Sequence, residues 1–345
     1  MAAIDLRSDT VTQPTGQMRE AMAKADVGDD VLDEDPSIHQ LQNMAAVKLG
    51  KEAALFVPSG TMGNLASILT HCQRGDEIIL GDQSHIFLNE VGGISALGGI
   101  HPRIAANSPD GTIALEVLRK AIRHDDLHYP PTRLICLENS HNYCSGSPLT
   151  PDYMKNVGRL AKDHNLKIHL DGARIFNAAD ALNVSAKVLA EEADSVMFCL
   201  SKGLSAPVGS LICGTTEFIS MARKYRKMLG GGMRQAGHLA AAGIVALDEQ
   251  VGRLAIDREN NQKLISGLQK IDGISVRAEY AKTNIVFFAL DKSRFNSGDF
   301  LKKLEGRNIK LMMIDDGEFR AVLHREISEK QVAQVLQAMR EILAQ

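Results

Sequence analysis

Short apolar runs that end on polar residues or glycine alternate along the chain with longer stretches of helical periodicity. The first, ALFVPSG at 54–60, reads as a strand that breaks at Pro58–Gly60, and GTMGNLASILTHC after it reads as a helix. EIILGD, RLICLEN, KIHLDGA and SVMFCLSK repeat the scheme, each with strand-forming residues followed by a polar group, and SLICG at 210–214 closes the series. Apolar runs of this length, bounded by turn residues and separated by helices, predict buried parallel strands joined by crossovers. Such a sheet binds ligands beyond the carboxyl ends of its strands, which is where the polar groups fall.

Beyond about residue 250 the texture changes. A charged helical stretch, VGRLAIDRENNQKLISGLQKI, leads into the strand-like runs TNIVFFAL, KLMMI and FRAVLH. EKQVAQVLQAMREILA then keeps apolar residues at i, i+3, i+4 and i+7, the mark of an amphipathic helix. The expectation is an α/β protein in two parts: residues 1–250, an N-terminal arm and a large α/β domain, and residues 251–345, a small C-terminal α+β domain. GGG at 230–232 reads as a functional loop or helix lead-in, since periodic sequence resumes at once.

Composition narrows the partner. With 39 basic against 42 acidic side chains and no long basic run, the chain offers no electrostatic footprint for nucleic acid or an anionic membrane face. No stretch reaches the ~18 consecutive apolar residues of a membrane span. Cys72, Cys136, Cys144, Cys199 and Cys213 form an odd set without a CxxC pair, which points to a reduced, cytoplasmic protein with no structural zinc. The first ten residues carry acids and no apolar core, so no secretory signal is expected. A small molecule or another protein remains as partner.

Two strand ends carry groups suited to catalysis. SVMFCLSKGLSAPVG places Lys202 directly after an apolar strand, where desolvation makes an amine nucleophilic; a lysine there can equally open a surface turn. KIHLDGARIF places Asp171 at another strand end, 31 residues earlier, an interval that fits strand, crossover and neighbouring strand. An amine and a carboxylate at adjacent strand ends match the needs of pyridoxal phosphate, a Schiff-base lysine and an acid that keeps the pyridine nitrogen protonated. Asp171 can equally cap the helix that follows. PSGTMGN puts Ser59, Gly60 and Thr61 at a helix N-terminus, an anion site suited to phosphate that is neither Walker A nor GxGxxG, although such residues also cap helices without a ligand. His85, in DQSHIF, can stack on an aromatic cofactor or move a proton, or simply be satisfied by local hydrogen bonds.

Taken together, IDLRSDTVT, VGDD, EDP, KEAALFVPSGTMGN, SHIF, ENSHN, LDGARIFNA, CLSKGLSAPVGS, RKMLGGGMRQAG and KTN resemble the L-threonine aldolases, low-specificity and L-allo-threonine forms included. The likeness runs in register from about residue 4 to about residue 325. It implies a fold-type-I pyridoxal phosphate enzyme of the aspartate aminotransferase superfamily, a homotetramer of dimers with active sites at the subunit interface. The implied reaction splits L-threonine or L-allo-threonine into glycine and acetaldehyde.

The resemblance also assigns residues. Lys202 matches the Schiff-base lysine, Asp171 the partner of the pyridine nitrogen, and His85 the histidine stacked on the ring, a candidate base for the substrate hydroxyl. Gly60 and Thr61, beside Ser59, match the phosphate cradle, and Arg234 is expected to reach a phosphate from the neighbouring subunit. Ser8, Arg174 and Arg320 match the residues that hold the substrate carboxylate, Arg174 lying also at the cofactor. His128 matches a position near the β-substituent, beside its reading as a loop histidine before Pro130. Glu90 either tunes His85 or is a solvated acid on the helix expected there. The chain departs from the family in DDVLDEDP, where Leu32 and Asp33 replace the usual Tyr-Gly, which bears on the choice between threonine and allo-threonine. Two rivals stand: β-elimination or transamination on the same cofactor, and a non-catalytic protein that keeps the fold.

Overall fold

A computed structural model describes residues 3–344. After a two-residue strand, β1 (Ile4–Asp5), come β2 (Ala53–Val57), β3 (Glu77–Gly81), β4 (His101–Ala105), β5 (Thr132–Glu138), β6 (Lys167–Asp171), β7 (Ser195–Cys199) and β8 (Ser210–Gly214). These last seven form one sheet in the order β2-β8-β7-β6-β5-β3-β4. β4, β3, β5, β6 and β7 run parallel, whereas β8 is antiparallel to both of its neighbours. The all-parallel expectation fails there for a geometric reason: residues 200–209 are too few for a crossover, so the chain must reverse.

Every residue of β3, β7 and β8 is buried, as a sheet covered on both faces requires. Side chains alternate across it: Ile135 and Leu137 of β5 join Phe56, Ile168, Leu170 and Phe198 in one core, while Leu134 and Cys136 pack with Ile68, Ile78 and Leu80 in the other. The helix Gly60–His71 covers this second face, started by Ser59, whose Oγ accepts the Met62 N–H at 3.2 Å. All five cysteines are buried and unpaired. Among the described residues, no helix is long and apolar enough to cross a membrane.

The C-terminal part adds β9 (Ile274–Val276), β10 (Ile285–Leu290), β11 (Ile309–Lys310), β12 (Met312–Asp315) and β13 (Glu318–Val322). An antiparallel sheet runs β12-β13-β10-β9. The helices Leu254–Leu268, Ser297–Glu305 and Glu329–Leu343 pack on it through Leu264, Leu268, Phe300, Val335 and Met339, against Phe288 and Phe319. The first residues of the chain are held here: β1 pairs in parallel with β11, and Leu6 is buried in the same cluster. The arm then crosses to the large sheet, where the Thr12 hydroxyl donates to the Lys202 carbonyl at 3.1 Å. That path carries Ser8 and Asp9 to the carboxyl ends of the central strands.

Candidate active site

Asp171 is the last residue of β6 and stands in register with Glu138 of β5 and Met197 of β7. Both acids are buried. Asp171 Oδ2 accepts from Asn64 Nδ2 at 2.9 Å, and Oδ1 accepts the Ala173 N–H at 3.0 Å. The same Asn64 nitrogen donates to Glu90 Oε1 at 2.7 Å, and that oxygen meets His85 Nδ1 at 2.9 Å. One nitrogen of His85 and one oxygen from each of Glu90 and Asp171 lie within 4.8 Å of one another.

Glu90 is not a solvated helix acid. The helix that starts at His85 ends at Leu88, and left-handed residues at Val91 and Gly92 redirect the backbone, so Glu90 turns inward and is buried. Burial pushes its carboxyl up, and its hydrogen bond raises the His85 imidazole above the ordinary histidine value. His85 keeps a third of its side chain exposed, and among the described residues its Nε2 has no hydrogen-bond partner.

Glu138, unnoticed in the sequence, organises the opposite wall. Its Oε2 accepts the His85 N–H at 2.7 Å and its Oε1 accepts the Asn142 N–H at 2.8 Å. The Asn142 side chain then accepts from Arg320 Nη1 at 2.9 Å, while Arg320 Nη2 donates to the Arg7 carbonyl at 3.0 Å. Among the described residues Arg320 Nε is buried without a partner. Asp9, also missed, makes a two-point ion pair with Arg174, and Asn284 donates to it at 3.3 Å. Burial alone would raise the Asp9 carboxyl, but Arg174 holds it far below the usual carboxylate range. Burial, and after it the charge of Arg174, lowers the Arg320 value. Arg320 pairs with no carboxylate among the described residues, so its guanidinium is left to hold an anion.

Lys202 follows β7 by three residues, and among the described residues its ammonium has no hydrogen-bond or ion-pair partner. Its charge is felt at both Asp9 and His85. Gly60 opens the neighbouring helix, where a Cβ would come within 3.0 Å of Cys199 Sγ and 3.3 Å of Met197 Cε. The backbone therefore reaches the strand ends closely, with Thr61 exposed beside it. Ser8 lies on the arm, its Oγ accepting the Thr10 N–H at 3.2 Å.

Two expected site residues lie elsewhere in the single chain. Arg234 is exposed and pairs with Asp29 at 2.9 Å. His128 is 82% exposed, hydrogen-bonded to Asp126 at 2.9 Å, in the loop that enters β5 and so at the end of the sheet opposite Glu138. In the divergent loop Leu32 is exposed, while Asp33, at φ 66°, pairs with Arg223 and His39.

Comparison with known proteins shows the family. Residues 5–291 match the beta-eliminating lyase family. The chain is 48% identical to low-specificity L-threonine aldolase 1 of Arabidopsis thaliana, over 99% of this chain and 97% of that one. It is 42% identical to the low specificity L-threonine aldolase of Escherichia coli K12, over 99% of each. In fold it is similar to the threonine aldolase of Leishmania major, with a TM-score of 0.84 at 19% identity over 99% of both chains. The chain belongs to the beta-eliminating lyase family and, within it, to the low-specificity L-threonine aldolases.

Proposed function

We propose that this protein is a pyridoxal phosphate-dependent aldehyde-lyase that cleaves L-threonine, L-allo-threonine and related 3-hydroxy amino acids to glycine and an aldehyde, acetaldehyde from threonine. The observation that carries the reading is the Asn64-anchored pair of carboxylates, Asp171 and Glu90, set against His85 at the strand ends that also bear Lys202. These residues fit the cofactor. Lys202 offers an amine that is unpaired among the described residues, and Asp171 a buried carboxylate to hold a proton on the pyridine nitrogen. Ser59, Gly60 and Thr61 offer a helix N-terminus to the phosphate, held close to the end of β7 because residue 60 has no Cβ to meet Cys199 Sγ.

When bound, pyridoxal phosphate supplies the electron sink for the pair released as Cα–Cβ breaks. This chain's residues supply the rest. Arg174 and Arg320, with the Ser8 hydroxyl, hold the substrate carboxylate and so decide which bond at Cα is aligned for cleavage. His85 Nε2 takes the proton from the β-hydroxyl, directly or through a water, as Glu90 at Nδ1 stabilises the imidazolium. Cleavage of Cα–Cβ then releases the aldehyde, and a proton delivered to Cα completes glycine.

The assembly proposed is a homotetramer of dimers in a cytoplasmic setting. It is supported by the exposed apolar residues Phe87, Leu88, Val91 and Leu97 on the segment that follows His85, and by the exposure of Arg234 away from its own chain's site residues, as a residue that reaches a second copy's phosphate would be. The buried, unpaired cysteines suit a reducing compartment. Within each chain, residues 251–345 act as the small domain that carries Arg320. Product analysis of the holoenzyme with L-threonine tests the reading, since β-elimination would give ammonia and 2-oxobutanoate instead of glycine and acetaldehyde.

A further inference from the structure

Buried His169 of the large sheet and half-buried His71 of its covering helix have no part in the chemistry above, yet both are wired to it. His169 and Asp171 share one face of β6, two residues apart, and Ser195 of β7 is the register partner of His169. Asn64 and His71 share one face of the helix Gly60–His71, two turns apart. The helix face lies over the strand face, and three contacts join them in a line. Asn64 Oδ1 meets His169 Nε2 at 3.1 Å, His169 Nδ1 meets Ser195 Oγ at 2.8 Å, and Ser195 Oγ meets His71 Nε2 at 2.8 Å. At the near end Asn64 Nδ2 spends its hydrogens on Glu90 and Asp171.

Proton counting gives this line one sense. Carboxylates only accept, so Asn64 must turn its NH2 toward Glu90 and Asp171 and its oxygen toward His169. His169 must then carry its hydrogen on Nε2, which leaves Nδ1 as an acceptor for the Ser195 O–H. Ser195 Oγ in turn accepts from His71 Nε2. Burial keeps both imidazoles neutral, pushing His169 down to about 4 and His71 to about 3, as a one-proton tautomer requires. His71 ends the line at a cleft of about 480 Å³ lined by Lys167, Asp194, Glu217 and Phe218, its ring stacked on Phe218 at 4.5 Å.

We propose that His71, Ser195 and His169 are positioning residues whose hydrogen bonds, all donated toward the active site, lock the Asn64 amide in the orientation that holds Asp171 and Glu90 in place. If His169 carried its hydrogen on Nδ1, its Nε2 lone pair would face the Asn64 oxygen. The amide would then turn over and set its oxygen against both carboxylates. The hydrogen pattern is a property of the folded chain, while its effect on cofactor binding rests on the pyridoxal phosphate reading.

Neutron diffraction from deuterated holoenzyme crystals tests the pattern directly. Deuterium on His71 Nε2, on Ser195 Oγ directed at His169, and on His169 Nε2 is expected; deuterium on His169 Nδ1 overturns the proposal whatever the variants do. Ser195→Ala cuts the line without touching cofactor or substrate. Its holoenzyme should lose cofactor about 3- to 10-fold more readily in equilibrium dialysis, the effect of one lost buried hydrogen bond. A merely structural serine would lower the thermal midpoint and leave cofactor affinity at the wild-type value, which also overturns the proposal. Failure of the wild-type protein to bind pyridoxal phosphate at all would contradict the cofactor reading instead, with the deuterium pattern still deciding this one.

Discussion

Asp9 and Arg174 meet through two 2.7 Å hydrogen bonds, Nε to Oδ2 and Nη2 to Oδ1, with both side chains buried. The contact ties the N-terminal arm to the turn after β6 and fixes one of the two guanidiniums assigned to the substrate carboxylate. Asp9→Ala would leave Arg174 as an uncompensated buried cation, and breaking such a pair from one side costs about 3–5 kcal/mol. A urea unfolding midpoint well below wild type is expected, and an unchanged midpoint would show that the pair carries no such weight.

The same pair sets a pH dependence. The folded-state value of Asp9 lies far below its unfolded value, so its contribution is complete above the ordinary carboxylate range, ~3.9, and is lost as pH falls toward the folded value. Unfolding measured against pH should therefore show wild type and Asp9→Asn furthest apart at neutral pH and converging in strong acid. A gap that widens in acid would reverse the assigned sign.

Glu90→Gln removes the largest cause of the raised His85 value. As a base His85 must be neutral, so wild-type kcat/KM should fall as pH drops through a value above that of an ordinary histidine. In the variant that limb should move to lower pH, with a maximal rate at least about 10-fold lower, a modest share of general-base catalysis. The stability sign runs the other way. A raised histidine adds stability below its unfolded value and loses it as pH rises through the folded one, so the His85 part of the loss should be larger in acid than in alkali. An unmoved acid limb would exclude His85 as the titrating base.

How legible the site was depended on how local each residue's reason is. Lys202, Asp171 and His85 stand beside strands or short loops whose apolar pattern is continuous in sequence, so their place at the carboxyl ends could be read directly. The reversal of β8 was missed because the apolar run SLICG is the same in either direction; only the shortness of the preceding segment decides it. Asn64, Asp9 and Glu138 were passed over because their partners are remote: Asn64 meets Asp171 across 107 positions, and Asp9 meets Arg174 across 165. An asparagine within GTMGNLAS looks like an ordinary helical residue until the strand beneath it is known. For Glu90 the sequence leaves two readings open, and the early end of the short helix before it, which turns the acid inward to His85, decides between them.

The Asn142 backbone N–H holds Glu138 at the end of β5, while its side chain accepts from Arg320 Nη1. Asn142→Ala should raise KM for the amino acid about 10-fold or more, the usual weight of a hydrogen bond to a charged group, with a much smaller change in kcat and none in cofactor affinity. Equal losses of substrate and cofactor binding would contradict the placement of Arg320 at the carboxylate.

Lys202→Ala should abolish both the visible absorbance of attached cofactor and carbon–carbon cleavage. A variant with normal turnover would remove Lys202 from the mechanism.

The most direct test of the account is quantitative product analysis of the purified holoenzyme, supplied separately with L-threonine and L-allo-threonine, with cofactor absorbance followed in the same cuvette. Glycine and acetaldehyde in equal amounts, from at least one of the two, are the predicted result. Ammonia with 2-oxobutanoate, or no product from a protein that carries its full complement of cofactor, would contradict it.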